Sequence, residues 1–286
     1  MTPAVRAGRA VLRVFLVTWF LLPLVPLVLW AATETWTGAT PLPQKWGAQG
    51  FTDAFADGGA LAFLRSLALG CVVALLATPA GTVAARALTL RTVPRPRFVS
   101  ALLIAPVVLP VFAVVMGLDV VLLRLHVPGE LGIVLVLAVA SLPYTTYLMR
   151  LAYSAYDFAF EDEARTLGAS RRAVLWRVRL PLLAPGLAAA AFLAFLVGWS
   201  DYIVTLLIGG GRFVTLPVLV ASAASGTGNE PTVAALSITA LVPPFLALAA
   251  VGVLRRSLAR PMSRLTARPT PGNAFHRALP TRGAAA

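Results

Sequence analysis

The stretch at 160–186, FEDEARTLGASRRAVLWRVRLPLLAPG, holds three consecutive acids, five arginines and two prolines, and long apolar runs flank it on both sides. Local rules give it a shape. Asp157 is placed to cap a short helix, and Glu161, Asp162 and Glu163 fall near its N-terminus, where acids offset the macrodipole. Gly168 stands where such a helix stops, because glycine takes the left-handed C′ conformation at little cost. Ser170 can cap a second short helix that runs to Arg179, and Pro181 is expected to end it. Phe160, Ala164 and Leu167 recur at i, i+4 and i+7, which makes one apolar face.

The flanks say where this helix pair sits. The 286-residue chain is 59% hydrophobic and 12% charged, where a soluble domain has about 25% charged residues. Mean hydropathy is +0.85. This composition belongs to an integral membrane protein. Six apolar segments approach the roughly 20 residues that a helix needs to cross a bilayer, near 14–32, 61–85, 98–123, 131–149, 183–208 and 232–254. None alternates as a barrel strand does, so the expected fold is all-α and polytopic, with about six transmembrane helices. Arg6, Arg9 and Arg13 ahead of the first apolar stretch also suit a secretory signal peptide. The length of that stretch and the five spans after it favour a retained helix.

Charge sets the orientation. Of the 24 Lys and Arg residues, all but Lys45, Arg65, Arg124 and Arg212 fall in the N-terminus, the 86–97 loop, the 150–182 loop and the C-terminal tail. With six spans these segments share one side, and the positive-inside bias makes it the cytoplasm, with both termini there. The net charge of +13 is therefore topological, and no nucleic-acid partner is expected. The charged stretch then lies on the cytoplasmic face. Its acids would be repelled by anionic headgroups, so it suits a groove on a protein partner. The alternative is an ordinary solvated loop.

Other features are read more plainly. Residues 33–60 form an external loop, 209–231 a Gly-rich loop, and the Pro-, Arg- and Ala-rich tail from 257 a disordered segment. Gly70, Ala74, Ala77, Gly81 and Ala85 put small residues on one face of the second span, for helix packing or a subunit contact. Cys71 is expected to be a buried, inert thiol. No phosphate-binding GxxxxGK[ST], HExxH, CxxC or Gly-x-Ser-x-Gly motif occurs, and His126 and His276 are the sole histidines. No catalytic residue, metal site or bound cofactor is expected of this chain.

The charged loop resembles the signature of membrane subunits of binding-protein-dependent ABC importers: EAA, three residues, G, nine residues, I-x-L-P. Asp162, Glu163 and Ala164 stand at EAA, Gly168 at the glycine, and Val178, Leu180 and Pro181 at I-x-L-P. Asp162, Glu163 and Val178 depart from the pattern; the spacing fits throughout. The resemblance covers about 61–256. LPYTTYLMR before the loop and WSDYIVTLLIGG after it are similar to permeases of polyamine, ferric-iron and related importers.

The resemblance implies a type I ABC importer permease (MetI-like) fold in a bacterial inner membrane. It divides the chain into an N-terminal helix and external loop (1–60), a permease core (61–256) with its coupling loop (157–181), and the tail (257–286). It implies a second permease subunit, homologous or identical, two cytoplasmic ATPases that bind ATP and Mg, and an external substrate-binding protein. The coupling set is Phe160, Glu161, Asp162, Glu163, Ala164, Leu167, Gly168, Leu180 and Pro181. Two acids lie in the expected spans. Asp119 precedes Arg124 by a little over one turn and is expected to pair with it. Asp201, beside Trp199 and Tyr202, is the candidate for the substrate pathway, with a cationic polyamine as cargo. Its bland alternative is a helix–helix hydrogen bond. Sugar, ferric-iron or thiamine-like cargo, a non-transport membrane scaffold and a secondary carrier are the alternative readings of function.

Overall fold

The computed structural model describes residues 3–37, 40–56 and 58–266. The chain starts with α1 (Pro3–Leu21) and α2 (Leu24–Ala31), bent by 46° where Pro23 removes a backbone donor. The expected external loop is partly ordered. Strands β1 (Thr33–Thr35) and β2 (Lys45–Trp46) pair antiparallel, and α3 (Gln49–Ala56) follows. Then come α4 (Gly59–Thr89), α5 (Pro96–Val108), α6 (Val111–Arg124), α7 (Gly129–Ser154), α8 (Ala159–Thr166) and α9 (Arg171–Val174). One π turn, Leu175–Arg179, joins α9 to α10 (Leu180–Trp199). The chain continues through α11 (Ile203–Gly209), α12 (Leu216–Ala224) and α13 (Glu230–Thr266).

Among the described residues, four helices are long and apolar enough to cross a membrane, and six crossings result if each bent pair counts as one. The fold is all-α apart from the small hairpin. Its centre is α4, α7 and α10, which pack on one another, with α13 closing the side beside α2, α3 and α12. The small-residue face of α4 is spent inside the subunit. Gly70, Ala77, Gly81 and Ala85 are buried and Ala74 is half-buried. Where α4 meets α10, a Cβ on Gly198 would lie 2.9 Å from the Cα of Gly70, and one on Gly70 would lie 2.8 Å from the Phe195 ring, so this close approach uses glycine on both helices.

Several expectations need correction. The third span is not one helix: α5 and α6 meet at 101°. Leu109 is extended there (ψ 143°), as a residue before proline prefers, and Pro110 starts α6. The fifth span stops at Trp199 instead of 208, and the presumed loop 209–231 contains α12. Cys71 is exposed on α4. An apolar run in a membrane helix includes the residues that face lipid, so hydrophobicity there does not imply burial in protein. Asp119 and Arg124 form no ion pair, because residues five apart on a helix point well away from each other. The tail begins later than expected, since α13 runs to Thr266; the expectation of disorder for 267–286 lies outside the described residues.

Candidate functional site: the loop between α7 and α10

Local chemistry builds the loop much as its sequence suggests. The Ala159 N–H donates to Asp157 Oδ1 at 2.9 Å and opens α8. The helix closes at Gly168, whose φ is +85°. Its N–H donates to the Arg165 carbonyl, and the Ala169 N–H donates to that of Ala164, so two end carbonyls are satisfied. Ser170 Oγ then accepts from the Ala173 N–H at 3.3 Å and caps α9.

Pro181 does not end the second helix. Residues 171–199 form one helix of 29 residues. The π turn makes this possible. The Leu180 N–H reaches back five residues to the Leu175 carbonyl, which shifts the hydrogen-bond register just before the proline. Pro181 sits in the first turn of α10, where a missing N–H costs least.

The feature that sequence reasoning missed is the direction of Glu161. It was grouped with the docking acids, yet it is 2% exposed. Arg179 grips its carboxylate with two hydrogen bonds. Arg86, at the end of α4, adds one at 3.3 Å. The Tyr156 hydroxyl donates at 3.1 Å, and Arg165 stands 3.8 Å away. These donors, Arg179 first, hold the Glu161 carboxyl below the usual carboxylate range. Burial, then the neighbouring carboxylate, pushes the Tyr156 phenol up to about 12. Tyr156 also meets Phe158 edge-on at 5.1 Å, and Phe158 stacks on Tyr153 of α7. One carboxylate thus ties α8 to both α4 and the base of α10. No spacing rule links Glu161 to Arg86, 75 residues earlier; the one available signal was an arginine excess spread over all the segments on the loop's side of the spans.

The opposite side of α8 is open. Phe160 is 48% exposed and Leu167 88%, with Ala164 half-buried between them. Asp162 and Glu163 point to solvent, and Asp162 makes only an exposed pair with Arg165 at 3.4 Å. Phe160 also lines a 550 Å³ cleft that runs under the loop to Leu182 and Gly186. Leu180 is half-buried and Pro181 exposed at the far end. Trp176, which sequence reasoning did not single out, is 69% exposed on the π turn. A large aromatic on an exposed helical face was the available signal.

Trp199, Asp201 and Tyr202 have separate surroundings. Trp199 is buried, stacks on Phe195, meets Phe63 edge-on, and donates from Nε1 to the Ala240 carbonyl of α13 at 3.1 Å. Asp201 lies in the break between α10 and α11. Its Oδ2 accepts from the Thr205 N–H and the Thr205 hydroxyl, each at 2.8 Å, and Oδ1 from the Val204 N–H at 3.4 Å. It therefore caps α11. Tyr202 is 38% exposed. No group of three or more potential metal ligands occurs among the described residues.

Comparison with known proteins agrees with this geometry. Residues 77–260 match the family described as "Binding-protein-dependent transport system inner membrane component". The chain is 33% identical over 182 residues to a putative ABC transporter permease protein of Streptomyces antibioticus, covering 62% of this chain and 78% of the relative. It is 29% identical over 237 residues to a putative 2-aminoethylphosphonate transport system permease protein of Salmonella typhimurium (81% and 88%). It is also 29% identical over 204 residues to a molybdenum transport system permease protein of Escherichia coli (65% and 89%). The chain belongs to this family and is a multi-pass permease subunit of a binding-protein-dependent ABC importer.

Proposed function

We propose that this subunit forms half of a solute pathway and receives the work of separate ATPase subunits through α8. The observation that carries the reading is the two-sidedness of α8. Its inner side is fixed to two membrane helices by Glu161, and its outer side presents Phe160, Leu167, Asp162 and Glu163. A docking element that transmits force needs both a rigid root and a free face. The partners on this reading are a second permease, two ATPases that bind ATP and Mg, and an external binding protein, with both termini in the cytoplasm. Replacing Glu163 by Lys reverses charge on the free face. It should abolish uptake and ATPase copurification while leaving membrane insertion intact; copurification at the wild-type level would defeat the reading.

The cargo is a small charged solute. The expectation of polyamine rests on Asp201 beside Trp199 and Tyr202 and on the resemblance; the Asp201 carboxylate accepts from three donors of its own chain. Relatives named for 2-aminoethylphosphonate and for molybdenum transport support anionic cargo as the other class. Calorimetric titration of the cognate binding protein with spermidine, 2-aminoethylphosphonate and molybdate decides between these classes.

A further inference from the structure

A basic pocket at the membrane end that carries α8 has no part in the coupling loop. Leu88 at the end of α4, Arg91 in the α4–α5 connection, Arg97 and Ser100 of α5 and Arg150 of α7 enclose 550 Å³. Among the described residues, no carboxylate comes within ion-pair distance of Arg91, Arg97 or Arg150. Three guanidinium groups around one cavity repel each other unless an anion joins them.

The pocket continues downward. Leu88, Ser100 and Arg150 also line an apolar crevice of 80 Å³ between α5 and α7, walled by Leu103, Ile104 and Tyr147. Tyr147 is 71% exposed and Ile104 52%, so the crevice opens on an exposed apolar face of the helix bundle. It is also lined by Thr146, whose hydroxyl is buried without a hydrogen-bond partner. Thr146 lies one helical turn before Arg150, about 6 Å deeper along α7. From the membrane surface inward, the site offers cations, then a lone hydroxyl, then an apolar slot.

We propose that this site binds an anionic glycerophospholipid. Its phosphate and acidic headgroup rest on Arg91, Arg97 and Arg150, a glycerol ester carbonyl accepts from Thr146, and the first part of an acyl chain enters the crevice. Basic pockets between membrane helices recognise acidic headgroups through charge, and the slot below selects a lipid over a free anion. The apolar continuation also favours lipid over an acidic surface on a soluble partner. The assignment uses the membrane fold and is independent of the coupling role given to α8.

The test is native mass spectrometry of the full-length protein, purified in detergent with whatever subunits accompany it. The probes are dioleoyl-phosphatidylglycerol, dioleoyl-phosphatidylcholine with the same chains, and inorganic phosphate. The wild type should hold phosphatidylglycerol about tenfold more tightly than phosphatidylcholine. The triple variant Arg91→Gln/Arg97→Gln/Arg150→Gln should lose that preference, and the corresponding triple Lys variant should keep most of it. Arg95→Gln, in the same connection but outside the pocket, should keep it in full. Thr146→Val should weaken both lipids to a similar extent. Unchanged preference in the triple Gln variant overturns the site. So does an equal loss in Arg95→Gln, which means general surface charge, or displacement of lipid by phosphate alone, which means a free-anion site. Loss of the ATPase subunits from the triple Gln variant with lipid retained would assign the patch to protein docking.

Discussion

Arg179 donates Nη2 to Glu161 Oε2 at 2.7 Å and Nε to Glu161 Oε1 at 2.9 Å, so a guanidinium at the base of α10 holds a carboxylate on α8 in a two-point grip. This paired geometry is among the stronger forms of ion pair, and the carboxylate is almost fully enclosed. Removing either partner unbalances this buried charge cluster, in which Arg86 stands 3.3 Å from Glu161, and costs about 3 kcal/mol. Arg179→Ala and Glu161→Gln should each lower the melting temperature in detergent and reduce uptake. The double variant should be less destabilised than the sum of the two, because the interaction they share is lost only once. Strict additivity in that cycle would show that the two side chains do not share their energy.

The same carboxylate predicts an acid-sensitive term in stability. Its folded value lies below the ordinary one, about 4.3 for Glu. Its contribution is therefore complete above that ordinary value and fades as pH falls through the folded one. The gap in melting temperature between wild type and Glu161→Gln should stay constant from neutral pH to about 5 and narrow in more acidic buffer. A gap that persists undiminished at pH 3 would mean that Glu161 is not held as a carboxylate.

Gly168 separates backbone conformation from space. No atom lies within 4 Å of where a Cβ would stand, so Gly168→Ala meets only the penalty of φ +85°, about 1 kcal/mol. Uptake should fall modestly. Gly168→Pro fixes φ near −65° and deletes the N–H that bonds the Arg165 carbonyl, so it should uncouple transport while the protein still inserts. Uptake and ATP hydrolysis measured on the same proteoliposomes check both. Equal behaviour of the two variants would remove the conformational argument.

Asp201 is expected to act as a cap. Asp201→Ala should cost about 1 kcal/mol of stability, as loss of an N-cap does, and Asp201→Asn less. Transport per folded molecule should then be nearly unchanged. A collapse of Asp201→Asn transport at full folding would return this carboxylate to the pathway.

The orientation is tested with introduced thiols. Cys71 is exposed and must first be replaced, for example by Ser. Leu42→Cys, at an exposed position, should then label in intact cells with a reagent that does not cross the membrane. Labelling that needs permeabilised cells would invert the topology.

What the sequence revealed follows the range of the interactions. The stop at Gly168 and the caps at Asp157 and Ser170 depend on neighbours within a few residues, and they were legible. The inward turn of Glu161 depends on Arg86 and Arg179, whose proximity only the packed bundle creates. Pro181 misled because a proline forbids one hydrogen bond, and a π turn five residues long had already displaced it. Pro110 gave the opposite error. A break was written beside Leu109, and the unbroken hydrophobicity of 98–123 outweighed it. Asp201 looked like an intramembrane acid because apolar composition continues past Trp199 although the helix does not.

That continuity from Arg171 to Trp199 has a mechanical consequence. At 1.5 Å per residue, 29 residues make a shaft about 43 Å long with no joint between the loop and its far end. A push or twist delivered beside α8 has nowhere to dissipate along that length. It would emerge at Ser200–Tyr202, the first interruption of the helix, where Asp201 caps α11. On the coupling proposed above, a stroke begun at one membrane face would reach α11, which packs on α6 and α7.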